Sequence, residues 1–335
     1  MPNYTFVKGT IRPLTAFGTP PKGDTLFGQI CWGVVHRHGE ERLTSLLRGY
    51  TSGDPYLVVS DAFPQGCIPR PTLPHRLLQC SPGKEDNRKS LKRKLWLRQE
   101  DLAHPVDSWG SRLLGADDLP GGGTKRTLQH HNTLNRMSGT TGTGMFAPYT
   151  LPQLWFRQKN KDPHTLSEPA PVHLDLYFVC DTERLAIEEL SQIVADMGAT
   201  GFGRDASSGL GKFEILSLAP CPPLSQKNPN AFMALAPSLP PKDLINTQHS
   251  FYLPFTRFGR HGDAAVLRGK PFKTPVLLAD TGAVFTLHAP SERLFIGQGL
   301  GGDGTLSKAL PATAHQGFAP VVSLALETTP PRENR

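Results

Sequence analysis

The chain has 335 residues, which exceeds the usual size of a single core and favours two domains. Its net charge of +7 favours a polyanionic partner, although solubility alone would also account for that charge. Five scattered cysteines without a C-x-x-C pair argue against a disulfide framework or a zinc site, and favour reduced thiols in a cytoplasmic protein. No apolar run approaches the roughly 20 residues of a membrane span, and the first residues do not resemble a signal peptide, so we expect no membrane partner.

The first elements in chain order are a strand at 4–14, a helix that begins near Asp24, a shorter helix near 40–48 and a strand at 56–63. Asp24 is expected to cap the first helix, because a carboxylate there accepts hydrogen bonds from the free amides of the first turn. Prolines between residues 64 and 74 then predict an extended edge segment, since proline cannot donate to a sheet ladder.

Residues 75–150 differ from the rest by their charge. Segment 88–98 holds six basic residues in eleven and no acid, and residues 119–161 contain no Asp or Glu. The acid-free run predicts a Gly-rich β-hairpin or an extended arm. Its cations, hydroxyls and glycines are suited to contacts with sugars and phosphates; a solvated basic loop is the alternative. We expect no metal site at its paired histidines, because no Cys, Asp or Glu lies near them in sequence. The candidate RNA-binding residues of this arm are Lys125, Arg126, His131, Asn132, Arg136, Thr140 and Thr141.

A second domain is predicted from residue 151 to 335. It begins with a strand at 172–180, a helix of about fifteen residues capped by Thr182, a Gly-rich loop at 201–211 and a strand at 212–218. This order is one half of a ferredoxin-like unit, which RNA-recognition modules also use. Further strands are expected at 250–255, 274–280, 283–289, 293–297 and 319–327.

The Gly-rich loop is the strongest local indication of binding. Its glycines allow close backbone approach, and its polar side chains can donate to phosphates or to a partner's carbonyls; a plain turn that packs against the neighbouring helix is the alternative. It is not a P-loop, because Phe213 follows the lysine where Ser or Thr is needed. The candidate binding residues are Gly201, Gly203, Arg204, Ser207, Ser208, Gly209 and Lys212.

The sequence GLGGDG at 299–304 matches a dinucleotide-binding pattern, but only TLSKAL separates it from Pro311, where a full helix is required. We therefore expect no nucleotide cofactor. No paired carboxylates or nucleophile–base pattern stands out, so we also expect no catalytic residues.

Four motifs occur in order and at suitable distances: KGDTLFGQICW (22–32), SDAFPQGCIPRPTLP (60–74), HNTLNRMSGTTGTGMFAPY (131–149) and GFGRDASSGLGKFE (201–214). Together they resemble the fourth Csm subunit of type III-A CRISPR complexes, a RAMP-superfamily protein of the Cas-five-like group. The segment HQGFAPVVSLALE at 315–327 is similar to the last strand of that family. Cys67 departs from the pattern, since an aromatic residue is expected there.

The resemblance implies an α+β protein of two ferredoxin-like (RRM-like) domains, residues 1–150 and 151–335, the first with a basic thumb-like hairpin insertion at about 75–150. It implies a non-catalytic, cytoplasmic, RNA-binding subunit of an antiviral ribonucleoprotein. That subunit caps the 5′ tag of crRNA and bridges the large polymerase-like subunit and the backbone RAMP subunit. It also adds five residues to the RNA-facing set: Lys22, Ser60, Asp61, Phe63 and Arg70.

Two other readings remain open. One is a RAMP-type endoribonuclease that processes guide-RNA precursors, with His131 or His36 as general acid or base. The other is a stand-alone nucleotide-binding enzyme, which depends on GLGGDG alone.

Overall fold

The structure is a computed structural model that describes residues 3–78, 91–119, 123–156, 171–267, 269–289 and 291–327. Its longer helices are Gly23–His38 (α1), Glu40–Leu46 (α2) and Ile187–Thr200 (α3). The strands, numbered in chain order, are β1 (Tyr4–Pro13), β2 (Leu57–Val59), β3 (Phe63–Pro64), β4 (Cys67–Pro69), β5 (Trp96–Arg98), β6 (Thr124–His131), β7 (Tyr149–Phe156), β8 (Leu174–Asp181), β9 (Phe213–Pro220), β10 (Ala231–Ala234), β11 (Pro254–Arg257), β12 (Val276–Ala279), β13 (Val284–Thr286), β14 (Phe295–Gly301) and β15 (Ala314–Leu324). The protein is therefore α+β, as expected, and it has more residues in strands than in helices.

The largest sheet is antiparallel and has the order β2-β8-β1-β9, with β3 also paired to β8. Every residue of β8 is buried, so both faces of this central strand are covered. Helices α1 and α3 pack on each other, since a Cβ added to Gly33 would lie 2.6 Å from the side chain of Ile193. This sheet and the two helices form the main core of the protein.

The predicted division at residue 150 does not separate two sheets. Strand β8 follows that position, yet it pairs with β1 over eight positions, from Tyr4 opposite Asp181 to Ile11 opposite Leu174. The sheet therefore consists of a strand, helix and strand before residue 65 and a second strand, helix and strand between 174 and 220. Local periodicity predicts strands without specifying their partners, and the long β1–β8 ladder joins segments that are far apart in sequence.

A second antiparallel sheet has the order β13-β10-β15-β14. Strand β10 was not predicted, because its four residues are all buried and show no alternation of polar and apolar side chains. The two sheets are joined through Gln316 of β15, whose side-chain amide bonds both the N–H and the C=O of Val59, each at 2.8 Å. The helix and the Gly-rich loop predicted for a second domain pack instead on the first sheet.

Two predicted helix caps are wrong. Helix α1 begins at Gly23, whose N–H donates to Asp61 at 2.8 Å, while the Asp24 carboxylate lies inside the first turn and pairs with Arg257. Helix α3 begins at Ile187, so Thr182 lies before the helix and does not cap it. The Thr182 hydroxyl donates instead to the carbonyl of Asn3 at 3.4 Å, so in both cases the side chain bonds a partner that is distant in sequence.

The insertion between the two halves of the first sheet contains the short pair β4–β5 and the long hairpin β6–β7. The predicted hairpin is therefore confirmed. Of the basic segment 88–98, residues 88–90 lie outside the described residues, and residues 96–98 pair with residues 67–69. The late strands were predicted with errors of a few residues at their ends; the largest displacement is that of β15, expected at 319–327 and found at Ala314–Leu324.

Candidate nucleic-acid interface

The hairpin β6–β7 forms an arm whose surface is basic and exposed. Its register runs from Thr124 opposite Phe156 to His131 opposite Tyr149. Lys125 and Arg126 are exposed and, as neighbours in a strand, point to opposite faces of the hairpin. The arm can therefore present a cation on either face.

The tip of the arm carries the remaining polar candidates. Asn132, Arg136, Thr140 and Thr141 are all exposed. The His131 ring stacks on Tyr149, with centroids 5.1 Å apart and planes inclined by 9°. The tip thus displays amide, hydroxyl and guanidinium donors, of the kind that contact RNA sugars, phosphates and splayed bases.

The base of the arm is fixed to the core through Phe17. The Phe17 N–H donates to the carbonyl of Leu154 at 2.8 Å, and the Leu154 N–H donates back at 2.9 Å. The buried Phe17 ring also lies against Phe156 and Phe202, with centroids 5.2 and 6.0 Å apart. Phe202 belongs to the Gly-rich loop, so one aromatic cluster connects the arm to that loop.

The Gly-rich loop packs tightly on α1 and on the turn after β1. Gln29 of α1 donates to the Gly201 carbonyl at 2.9 Å and accepts from the Gly203 N–H at 3.1 Å. The Arg204 N–H donates to the Thr19 hydroxyl at 2.9 Å. The loop backbone is therefore packed on α1, which the alternative of a plain turn against a helix also requires, so RNA binding by the loop stays a prediction.

Arg204 joins the two predicted RNA-facing elements directly. Its guanidinium donates to the Pro152 carbonyl in the arm at 2.6 Å and lies 3.2 Å from the Asp205 carboxylate. Ser207, Ser208 and Lys212 are exposed beside it, and the backbone at Gly209 borders open space. The structure thus brings the arm and the loop of the predicted site together.

Lys22 and Asp61, also predicted to face RNA, bind each other and the second sheet. The Lys22 ammonium lies 3.1 Å from Asp61 and 2.8 Å from Asp280, and the Thr281 hydroxyl donates to Asp61 at 2.6 Å. Burial disfavours the charged form of Lys22, but the attraction of the Asp61 and Asp280 carboxylates outweighs that effect and raises the pKa of Lys22. Burial raises the pKa of Asp61. This cluster joins α1 to the turn between β12 and β13.

Three further predicted residues have structural partners. Ser60 is buried and accepts from the Tyr177 N–H at 2.8 Å. Phe63 is 1% exposed and packs against Trp96 and Tyr177, so no face of its ring is available to a base. Arg70 donates to the Leu91 carbonyl at 2.7 Å. These residues lie within the fold and are not part of the exposed arm and loop.

A buried ionic cluster was missed by the sequence reading. Arg257 forms two hydrogen bonds to Asp24, at 2.5 and 2.6 Å, and His315 lies 3.6 Å from the same carboxylate. Burial lowers the pKa of His315 to about 4, against the opposing effect of Asp24, so its ring is neutral near pH 7. Because 233 residues separate Asp24 from Arg257, no local pattern indicates this pair.

The other sequence signals have plain structural settings. GLGGDG starts inside the antiparallel strand β14, and residues 302–313, all described, contain no helix to complete a dinucleotide site.

Cys31, Cys67, Cys180 and Cys221 are free thiols, while Cys80 lies outside the described residues. Across the described ranges, no group of three or more His, Cys, Asp and Glu is arranged to hold a metal. Likewise, none of the helices described here has both the length and the apolar character to cross a bilayer.

Comparisons with known proteins place the fold. No family model matches the chain, and no curated protein matches it. Among solved structures, it is similar to a chain in the crystal structure of a Csm1-Csm4 cassette in complex with pppApA, with 15% identity and a TM-score of 0.56 over 98% of this chain and 100% of that one. It is also similar to a chain of the Csm3-Csm4 subcomplex in the type III-A CRISPR-Cas interference complex, with 14% identity and a TM-score of 0.57 over 96% and 99% of the two chains. The shared fold therefore extends over nearly the whole chain.

Proposed function

We propose that this chain is a Csm4-like subunit of a type III-A CRISPR effector complex and that it holds the guide RNA without cutting it. The observation that carries the proposal is the exposed, acid-free hairpin that Arg204 connects to the Gly-rich loop. Csm4 is the component common to the two solved complexes described above. The fold likeness and the ordered sequence motifs both support this proposal.

In this proposal the first sheet with α1 and α3 is one complete ferredoxin-like unit. Its elements follow the order strand, helix, strand, strand, helix, strand, with the arm inserted between the halves. The second sheet is the counterpart of a second such unit, joined to the first through β15. This division replaces the one predicted at residue 150.

The ligand we assign to the arm and loop is the 5′ tag of crRNA. The arm supplies cations and hydroxyls, which suit a sugar–phosphate backbone, while the stacked His131 and the exposed Asn132 can contact bases. The protein partners we assign are a large subunit related to Csm1 and a backbone subunit related to Csm3, in keeping with the complexes of the structural neighbours.

The test removes three arm cations together, with Lys125→Ala, Arg126→Ala and Arg136→Ala. Each phosphate contact to a single strand contributes roughly 0.7 to the slope of log affinity against log salt concentration. If all three cations contact phosphates, the triple variant should therefore reduce the magnitude of that slope by about 2. The measurement is RNA affinity of the assembled complex at several salt concentrations, with tagged and scrambled-tag guides.

A matched control removes three exposed cations elsewhere, with Arg48→Ala, Lys227→Ala and Lys242→Ala. It changes the net charge equally and should leave the slope close to that of the unmodified protein. An arm variant that behaves like this control would contradict RNA binding by the arm. Cleavage of repeat RNA that His131→Ala abolishes would favour the processing ribonuclease instead.

A further inference from the structure

A second exposed surface lies on the hairpin β11–β12 and its extension, in a region where the sequence shows no motif. The segment 251–279 carries Arg257, Arg260, Arg268, Lys270 and Lys273 but a single acid, Asp263. It also contains five of the aromatic residues of the chain: Phe251, Tyr252, Phe255, Phe258 and Phe272. Cations interleaved with aromatic rings are typical of surfaces that bind single-stranded nucleic acid.

The ladder extends beyond β11–β12 and fixes which side chains face outward. Arg260 and Phe272 are paired across it, and the Lys273 N–H donates to the Gly259 carbonyl at 2.8 Å. Side chains alternate along the first strand, so that Phe258 and Arg260 are exposed while His261 is buried against Ser307.

The outward face is aromatic and cationic. Phe258 is 75% exposed and Phe272 is 71% exposed, and the Arg260 guanidinium lies 5.9 Å from the centre of the Phe272 ring. The one acid of the segment, Asp263, lies 2.7 Å from His36 of α1. A base can stack on a large exposed ring, and the guanidinium beside that ring can pair with the phosphate next to the base.

The inward face of the same ladder holds the platform rigidly. Arg257 points inward to the buried Asp24 carboxylate of α1, at 2.5 Å, and the loop at Gly262 lies against the Trp32 ring of α1. Exposed rings on an anchored strand lose little conformational entropy when a base stacks on them. Helix α1 also carries Gln29, which holds the Gly-rich loop, so one helix supports both this platform and that loop.

We infer that Phe258, Phe272 and Arg260 form a stacking platform for bases of single-stranded RNA, separate from the phosphate-binding arm. The inference rests on the proposed function for the identity of the strand as guide RNA, but binding to the platform can be measured by itself. In this arrangement the arm contributes salt-sensitive contacts with the backbone and the platform contributes salt-insensitive stacking.

The experiment measures binding of a fluorescent single-stranded oligoadenylate of about eight nucleotides to the full chain, at several salt concentrations. The double variant Phe258→Leu, Phe272→Leu keeps an apolar surface but removes both π faces. Each ring that stacks on a base should contribute at least about fivefold to the affinity, so the double variant should bind the probe correspondingly more weakly. The slope of log affinity against log salt concentration should stay unchanged, because neither ring is charged. Phe258→Tyr with Phe272→Tyr should keep the affinity, and so should Leu277→Ala, which removes an exposed aliphatic side chain from the same hairpin.

The outcomes separate the inference from the proposed function. If the unmodified chain does not bind the probe, the platform is refuted, while the proposed function is judged separately by the salt slope of the assembled complex. If the arm variant weakens binding and the double Leu variant does not, only the platform is refuted. Normal RNA binding by the double Leu variant, together with loss of a protein partner by Leu277→Ala, would identify the surface as a protein docking face and overturn the inference.

Discussion

The Gly-rich loop offers a sharp test, because two of its glycines share a positive φ but differ in their surroundings. Gly209 has φ +91° and Gly211 has φ +71°. A Cβ added at Gly209 would meet nothing within 4 Å, whereas one at Gly211 would lie 2.2 Å from the carbonyl oxygen of Phe202. The same change to alanine should therefore have two very different effects.

Gly209→Ala should cost about 1–2 kcal/mol of folding free energy, which is the cost of placing an L residue in the left-handed region. Gly211→Ala should cost that amount plus about 1–3 kcal/mol for overpacking, because the obstacle is backbone and cannot rotate away. The displacement of Phe202 would also disturb its contact with Phe17, which anchors the base of the arm.

The assay is urea-induced unfolding followed by circular dichroism, with RNA affinity measured under conditions where each variant is folded. Gly211→Ala should unfold at a clearly lower urea concentration than Gly209→Ala and should bind RNA more weakly. Equal unfolding midpoints for the two variants would refute the argument that the loop is tightly packed against Phe202 and the arm.

Two further predictions concern buried side chains. His315 has a pKa lowered by burial to about 4, so below its ordinary value of about 6.5 the unfolded chain takes up a proton that the folded chain does not. The free energy of unfolding should therefore fall as the pH drops from 6.5 toward 4, and His315 alone should account for about 2 kcal/mol of this loss at pH 5. His315→Gln should reduce the slope of unfolding free energy against pH, and an identical slope in the variant would contradict the lowered pKa of His315. Phe63→Ala should cost about 3–5 kcal/mol of folding free energy, because the ring is fully buried between Trp96 and Tyr177. The RNA affinity of the assembled complex, measured where the variant is folded, should stay constant; a clear loss of affinity would return Phe63 to the RNA-facing set.

The candidate site was partly readable from the sequence. The acid-free composition of 119–161 and its glycines predicted an exposed hairpin, and the structure has β6 and β7 in that segment. The Gly-rich loop was identified by its residue types alone, and the structure places it beside the arm. By contrast, Lys22, Asp61 and Phe63 were assigned to RNA by resemblance, while their partners in the structure are Asp280, Thr281, Trp96 and Tyr177.

The platform at Phe258 and Phe272 shows why part of a surface cannot be predicted from the sequence. Neither residue lies in a recognisable motif, and their exposure depends on the register of the ladder around Arg260. A shift of one residue would turn Phe258 inward and His261 outward. Only the pairing in three dimensions fixes that choice.

The sequence by itself determined the α+β class, the main helices, the basic arm and the Gly-rich loop, because each of these is set by local periodicity, composition or backbone freedom. The tertiary structure decided which strands pair, and so moved β8, α3 and β9 from a predicted second domain into the first sheet. It also decided which polar residues are buried, as with Asp24, whose partner Arg257 is 233 residues away. The physical reason is that pairing and burial depend on contacts between distant segments, which no local pattern encodes.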